Sequence, residues 1–247
     1  MSVEPYLEYR PITGSTNDDL KEWIRQGCAH GTAIYAGSQT EGRGRSGRSW
    51  HAPDVDNLYF SVALTRDTNK VDMRTLPFLA AVCVAQWLAN STDVAFGLKW
   101  PNDVLVGNHK LAGILCEGVT PERGRLAAVM GIGINVNARK SDFPDELDGI
   151  ATSLREETGE TYDVETIARD LRARIVQWYD TLMKAGPKPV LDQWRKYEQT
   201  SGRTVLIVDD ELEGVAEGIT EDGALRVRIG DGTLRKVYAG DVRFTET

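Results

Sequence analysis

Nine consecutive residues, Gly42-Arg43-Gly44-Arg45-Ser46-Gly47-Arg48-Ser49-Trp50, constrain this chain more than any other segment. Apolar, strand-like runs lie on either side of them, at residues 32–36 and 57–64. Glycine lets backbone N–H groups approach an anion closely and permits positive φ. Arginine adds a permanently charged fork that matches phosphate and carboxylate oxygens. Such a loop suits a polyanionic small molecule, or an acid being converted into a phosphate derivative. A solvated basic loop is the plainer alternative. The interleaved glycines argue against it, because solubility alone gains nothing from the backbone entropy they give up.

Two known anion motifs fail here. Gly42, Gly44 and Gly47 satisfy G-x-G-x-x-G, and Asp67 lies twenty residues beyond Gly47. That fingerprint needs a helix starting inside it, yet Ser49-Trp50-His51-Ala52-Pro53 leads straight to the next strand-like run. A P-loop needs Lys then Ser or Thr after its last glycine, and Arg48-Ser49 is not that pair. A second informative segment is Lys99-Trp100-Pro101-Asn102-Asp103, followed by a Gly107-Asn108 turn and Lys110-Leu111-Ala112-Gly113-Ile114-Leu115. Gly-Asn between apolar runs reads as a tight hairpin, which puts Lys110 at the start of the returning strand, near the Asn102-Asp103 turn. From this segment alone, a surface lysine beside a turn is the plainer reading.

Taken together, these segments resemble the biotin protein ligases. The resemblance rests on the glycine–arginine loop with Trp50, on Lys99-Trp100-Pro101-Asn102-Asp103 and on Lys110-Leu111-Ala112-Gly113-Ile114-Leu115. Ser15-Thr16-Asn17 and Gly131-Ile132-Gly133-Ile134-Asn135-Val136 support it, in the family's order and spacing. The resemblance implies an α+β catalytic domain of the class II aminoacyl-tRNA synthetase and biotin synthetase-like type, followed by a small SH3-like barrel. It implies ATP-dependent activation of biotin to biotinyl-5′-AMP, then transfer to a lysine of a biotin carboxyl carrier protein domain. Lys110 and Arg45 become the catalytic candidates. Ser15, Thr16, Asn17, Gln39, Gly42, Arg43, Gly44, Arg45, Lys110 and Gly113 become the biotin contacts. Arg43, Arg45, Arg48, Trp50, Asn102, Lys110 and Asn135 become the ATP and adenylate contacts. Magnesium is expected through the triphosphate rather than through protein ligands. A buried urea needs donors and acceptors without net charge, which Ser, Thr, Asn and Gln supply. Local sequence alone favours a helix cap for Ser15-Thr16-Asn17, a turn for Gln39, and close backbone approach for Gly131-x-Gly133. Trp87 and Trp100 read as core. Two alternatives stay open: a lipoate–protein ligase or octanoyltransferase of the same fold, and a non-catalytic biotin sensor.

The rest of the sequence is consistent with this reading. The 29 basic against 37 acidic residues, a net charge of −8, disfavour nonspecific nucleic-acid binding. No run reaches the roughly 18 apolar residues of a membrane span, and Met1 to Pro5 has no signal-peptide character. Cys28, Cys83 and Cys116 read as reduced thiols, and His30, His51 and His109 lack metal-ligand spacing. A cytoplasmic protein follows. Ser15-Thr16-Asn17 arrives too early for a preceding winged helix-turn-helix, so the form without a DNA-binding domain is expected. A homodimer is allowed by the sequence and not specified by it.

Periodicity places helices over about 16–27, opened by a Thr16/Asp19 capping box, over about 75–87, and over 164–182. Strands are expected at 96–100, 104–106, 110–116, 126–130 and 133–136, in a mixed or antiparallel sheet. Composition then shifts. From Arg203 only short strands remain, at 205–208, 214–218, 225–229 and 235–238, separated by Asp/Glu/Gly turns. Two domains are expected, 1–200 and 201–247.

Overall fold

Strands whose side chains alternate between two covered faces build a seven-stranded sheet at the centre of the computed structural model, which describes residues 4–120 and 126–245. Met1, Ser2 and Val3, part of the stretch read for a leader, lie outside the described residues. The strands are β1 (Leu7–Thr13), β2 (Ala33–Gln39), β3 (Leu58–Leu64), β4 (Phe96–Lys99), β5 (Asp103–Val106), β6 (His109–Val119) and β7 (Ala127–Ile134). They lie in the order β1-β2-β3-β7-β6-β5-β4. β1 and β2 are parallel, joined across helix α1 (Thr16–Arg25), and every other pair is antiparallel.

Each face is filled by different helices. Phe60, Val62, Met130 and Ile132 point into the main core. There they meet α2 (Leu76–Ser91), α4 (Val164–Ala185) and α5 (Lys188–Trp194). The alternate residues Ile34, Ala63 and Val129 pack instead on Leu20 and Ile24 of α1. α1 covers only part of that second face. The rest of it carries Ser61, Gly131 and Gly133 and is left for the site.

A five-stranded antiparallel sheet follows: β8 (Thr204–Ile207), β9 (Leu212–Ile219), β10 (Leu225–Arg228), β11 (Leu234–Val237) and β12 (Val242–Phe244). Its order is β11-β10-β9-β8-β12. The fully buried Trp100 fastens it to the first sheet, its indole N–H donating to the Gly223 carbonyl at 3.0 Å.

The structure corrects several expectations. The capping box does not form. Thr16 lies inside α1, its hydroxyl bonds Gln39, and Asp19 accepts from Thr13 and pairs with Arg10. Helix α2 runs four residues beyond the expected 87 to Ser91. The two strands expected at 126–130 and 133–136 are one continuous strand, β7. Three elements were not anticipated as such: β1, the short helix α3 (Leu154–Thr158), and α5. Strand β12 was also missed.

Candidate active site

Three glycines clear the open face of the sheet. A Cβ at Gly131 would collide with the Asn17 amide, and one at Gly133 or Gly113 would lie 2.7 Å from the Trp50 ring. The same face therefore carries the polar start of α1 at one end and an indole at the other. A β-bulge completes the arrangement. Leu105 pairs with Lys110 and Val104 with Ala112, which leaves Leu111 as the extra residue. One extra residue reverses the facing of everything beyond it. Lys110 and Gly113, an odd number of positions apart, thus share the site face, with Lys110 Cε 3.1 Å from the Gly113 Cβ position.

The polar floor is tightly bonded. Gln39 Oε1 accepts from the Thr16 N–H at 2.8 Å and from the Thr16 hydroxyl at 3.0 Å. Ser61 donates to Asn17 Oδ1 at 2.6 Å, and Asn17 Nδ2 donates to Glu117 Oε2 at 2.7 Å. These bonds fix the orientation of the Asn17 amide. Ser15 caps α1 by backbone position only, making no side-chain cap bond, and it lines the cavity.

Residues 42–50 fold into a small hairpin over this floor. Trp50 N–H donates to the Gly42 carbonyl at 2.8 Å and Gly44 N–H to the Arg48 carbonyl at 2.7 Å. A 3-10 turn, Arg45–Gly47, forms the tip, with Ser46 at φ 54° and Gly47 at φ 73°. Each arginine has a different anchor. Arg43 pairs with Asp18 of α1 at 2.6 Å. Arg45 donates to Asn102 Oδ1 at 2.9 Å and to the Gly240 carbonyl at 3.4 Å. Arg48 pairs with Asp241 at 2.9 Å. The hairpin is thus held by α1 on one side and by the small sheet on the other.

Lys110 Nζ lies 2.6 Å from Asp103 Oδ1 and 5.4 Å from the centre of the Trp50 ring. Burial works against the charged forms of Arg45 and of Lys99, lowering both from their ordinary values. The Arg43 hydrogen bond holds the Asp18 carboxyl below its usual value. The cavity under the hairpin has only about 130 Å³ of free space, because Trp50 lies across it. A second cavity of about 730 Å³ opens on the far side of Trp50 and Lys110, towards Asn135, Arg203 and Phe244.

Of the residues expected at the site, Ser15, Thr16, Asn17, Gln39, Arg43, Gly44, Arg45, Arg48, Trp50, Asn102, Lys110 and Gly113 all line the first cavity. Two do not. Gly42 is buried at the hairpin base, where a Cβ would lie 2.7 Å from the Trp50 carbonyl. Asn135 faces only the second cavity, and its Nδ2 is engaged by the Thr152 carbonyl at 2.9 Å. Sequence reasoning missed Asp103, Ser61, Glu117 and Asp241. Asp103 stands inside a segment already singled out and could have been found there. Asp241 reaches the site only through the docking of a separate sheet.

The chain belongs to the biotin/lipoate A/B protein ligase family, whose pattern matches residues 9–137. Within that family it is a biotin ligase. The pattern of the biotin protein ligase C-terminal domain matches residues 200–244. The biotin–[acetyl-CoA-carboxylase] ligase of Mycobacterium tuberculosis is 36% identical, over 93% of this chain and 85% of its own. The bifunctional ligase/repressor BirA of Bacillus subtilis is 32% identical, over 96% of this chain and 73% of its own. The biotin protein ligase of Aquifex aeolicus, solved in complex with biotin and ATP, superposes with a TM-score of 0.85 at 29% identity, over 97% of this chain and 99% of that one. No helix among the described residues is long and apolar enough to cross a membrane.

Proposed function

We propose that this chain activates biotin with ATP, forming biotinyl-5′-AMP and pyrophosphate, and then passes the biotinyl group to a lysine of a biotin carboxyl carrier protein domain. The observation that carries the reading is the placement of Lys110 and the arginine hairpin on the same sheet face as the polar floor. The ureido ring would rest on Ser15, Thr16, Asn17 and Gln39, with the valeryl chain running over Gly131 towards Lys110. The nucleotide would extend past Trp50 into the second cavity. Trp50 Nε1 is buried with no protein partner among the described residues, a donor that a ligand acceptor would satisfy.

The first step joins a carboxylate oxygen to the α-phosphorus while the bond to pyrophosphate breaks. Two anions must approach each other, and fixed positive charge offsets their repulsion. Lys110 would bridge the carboxylate and the α-phosphate, with Asp103, 2.6 Å away, holding its ammonium in position. In the second step a neutral lysine amine attacks the acyl carbon, the bond to the AMP phosphate oxygen breaks, AMP departs and one amine proton is released to solvent. Among the described residues no three His, Cys, Asp or Glu side chains cluster as a metal site, and magnesium would enter on the triphosphate. We assign the catalytic work to residues 1–200 and a supporting role, through Gly240 and Asp241, to residues 201–247. The test is incubation with ATP, magnesium, biotin and a carrier domain, scored by mass spectrometry for one added biotin. Lipoate added in place of biotin would move the assignment to the lipoate branch of the family.

A further inference from the structure

We infer that Asp18 is a positioning residue that latches the arginine hairpin shut by holding the Arg43 guanidinium. Of the three arginines in the hairpin, Arg43 alone reaches back to the helix that builds the pocket floor. Its Nη2 donates to Asp18 Oδ1 at 2.6 Å. The same carboxylate oxygen accepts from Lys21 Nζ at 3.1 Å, and Lys21 donates at 2.6 Å to Glu117 Oε1. Glu117 in turn holds Asn17 in the floor. An unbroken run of charge-assisted bonds thus joins the cover of the pocket to its floor. With its guanidinium committed to Asp18, Arg43 offers the pocket its backbone, and its side chain fastens the cover. Asp18 stands in the first turn of α1, where the helix dipole also favours a carboxylate.

This rests on the reading of the hairpin as the cover of the biotin and adenylate site, but its test needs no ligand. Limited trypsin digestion of the full chain is followed at Arg45 and Arg48, with cleavage after the exposed Arg235 of β11 as internal reference. Asp18→Asn should raise hairpin cleavage roughly two- to five-fold, the scale of a part-exposed ion pair, with the melting temperature lowered by no more than about 4 °C, the share of one helix-terminal carboxylate. Arg43→Gln should do the same from the other side, and stands in if Asp18→Asn fails to fold. In the double variant the second change should add nothing, the mark of a coupled pair. Cleavage at the wild-type rate in either single variant would overturn the latch. So would an Asp18→Asn effect that persists in the Arg43→Gln background, which would trace to the helix instead. Wild-type protein that forms no biotinyl-adenylate would sink the functional reading and leave the digestion result to stand alone.

Discussion

Lys110 faces the site only because Leu111 bulges out of the β5–β6 ladder. That displacement joins an ammonium to the Asp103 carboxylate and aims both under the hairpin. Lys110→Ala should therefore cut biotin adenylation by roughly 10²–10³, the usual cost of one preorganised charge, without loss of fold. Pyrophosphate exchange and a thermal melt measure the two effects separately. An unchanged exchange rate would return Lys110 to an ordinary turn-side lysine. Gly131 makes a second test. Its missing side chain is the space that Asn17 occupies, so Gly131→Ala should push the Asn17 amide aside. The cost of about one hydrogen bond predicts a KM for biotin raised roughly tenfold, with kcat affected less. Residue types at this scale were readable from the chain, since Lys110, Gly113 and Asn17 all stand in recognisable segments. The bulge was not, because a register shift leaves no mark in local composition.

Under the proposed reaction, retention of the adenylate would rest on the hairpin of residues 42–50. Arg45 ties its tip to Asn102 and to the Gly240 carbonyl. Arg45→Gly should loosen that tie by roughly 1.5–3 kcal/mol, the worth of a charged hydrogen bond. Biotinyl-adenylate should then escape faster and label lysines of bystander proteins. Equal off-rates in mutant and wild type, with no bystander labelling, would leave Arg45 only a charge-neutralising role. Trp50 lies across the small cavity, between it and the larger one beyond. The absence of a helix after the glycines was legible and correctly excluded a dinucleotide fold. Strand β7 was misread as two strands because glycine weakens a strand signal. Here the glycines keep the strand whole while leaving space for Asn17 and Trp50. The short helices α3 and α5 fall below the length at which periodicity speaks.

At the scale of the molecule, two sheets share one site. The small sheet lends Asp241 to Arg48 and Gly240 to Arg45, a partnership between residues nearly two hundred positions apart that no local pattern announces. The change in composition after Tyr197 announced its short strands but not how they pair. Stability carries its own pH signature. His30 is half-buried against Tyr179 of α4, with Arg66 nearby, and desolvation pushes its pKa down to about 4. Its Nδ1 accepts from the Thr65 N–H at 3.2 Å. The unfolded chain takes up this proton near pH 6.5 and the folded chain only near 4. Between those values the unfolded state binds more protons, and stability falls by up to about 1.4 kcal/mol for each pH unit lost. His30→Asn keeps an acceptor without the charge, so its melting temperature should depend less on pH between 6.5 and 5. Equal slopes for the two proteins would remove His30 from the account. The central claim, an adenylating site assembled from the floor, Lys110 and the arginine hairpin, is tested most directly by pyrophosphate exchange into ATP with no carrier protein present. The account predicts exchange that requires biotin and disappears without it; exchange that ignores biotin and follows lipoate, or none at all from folded protein, would contradict it.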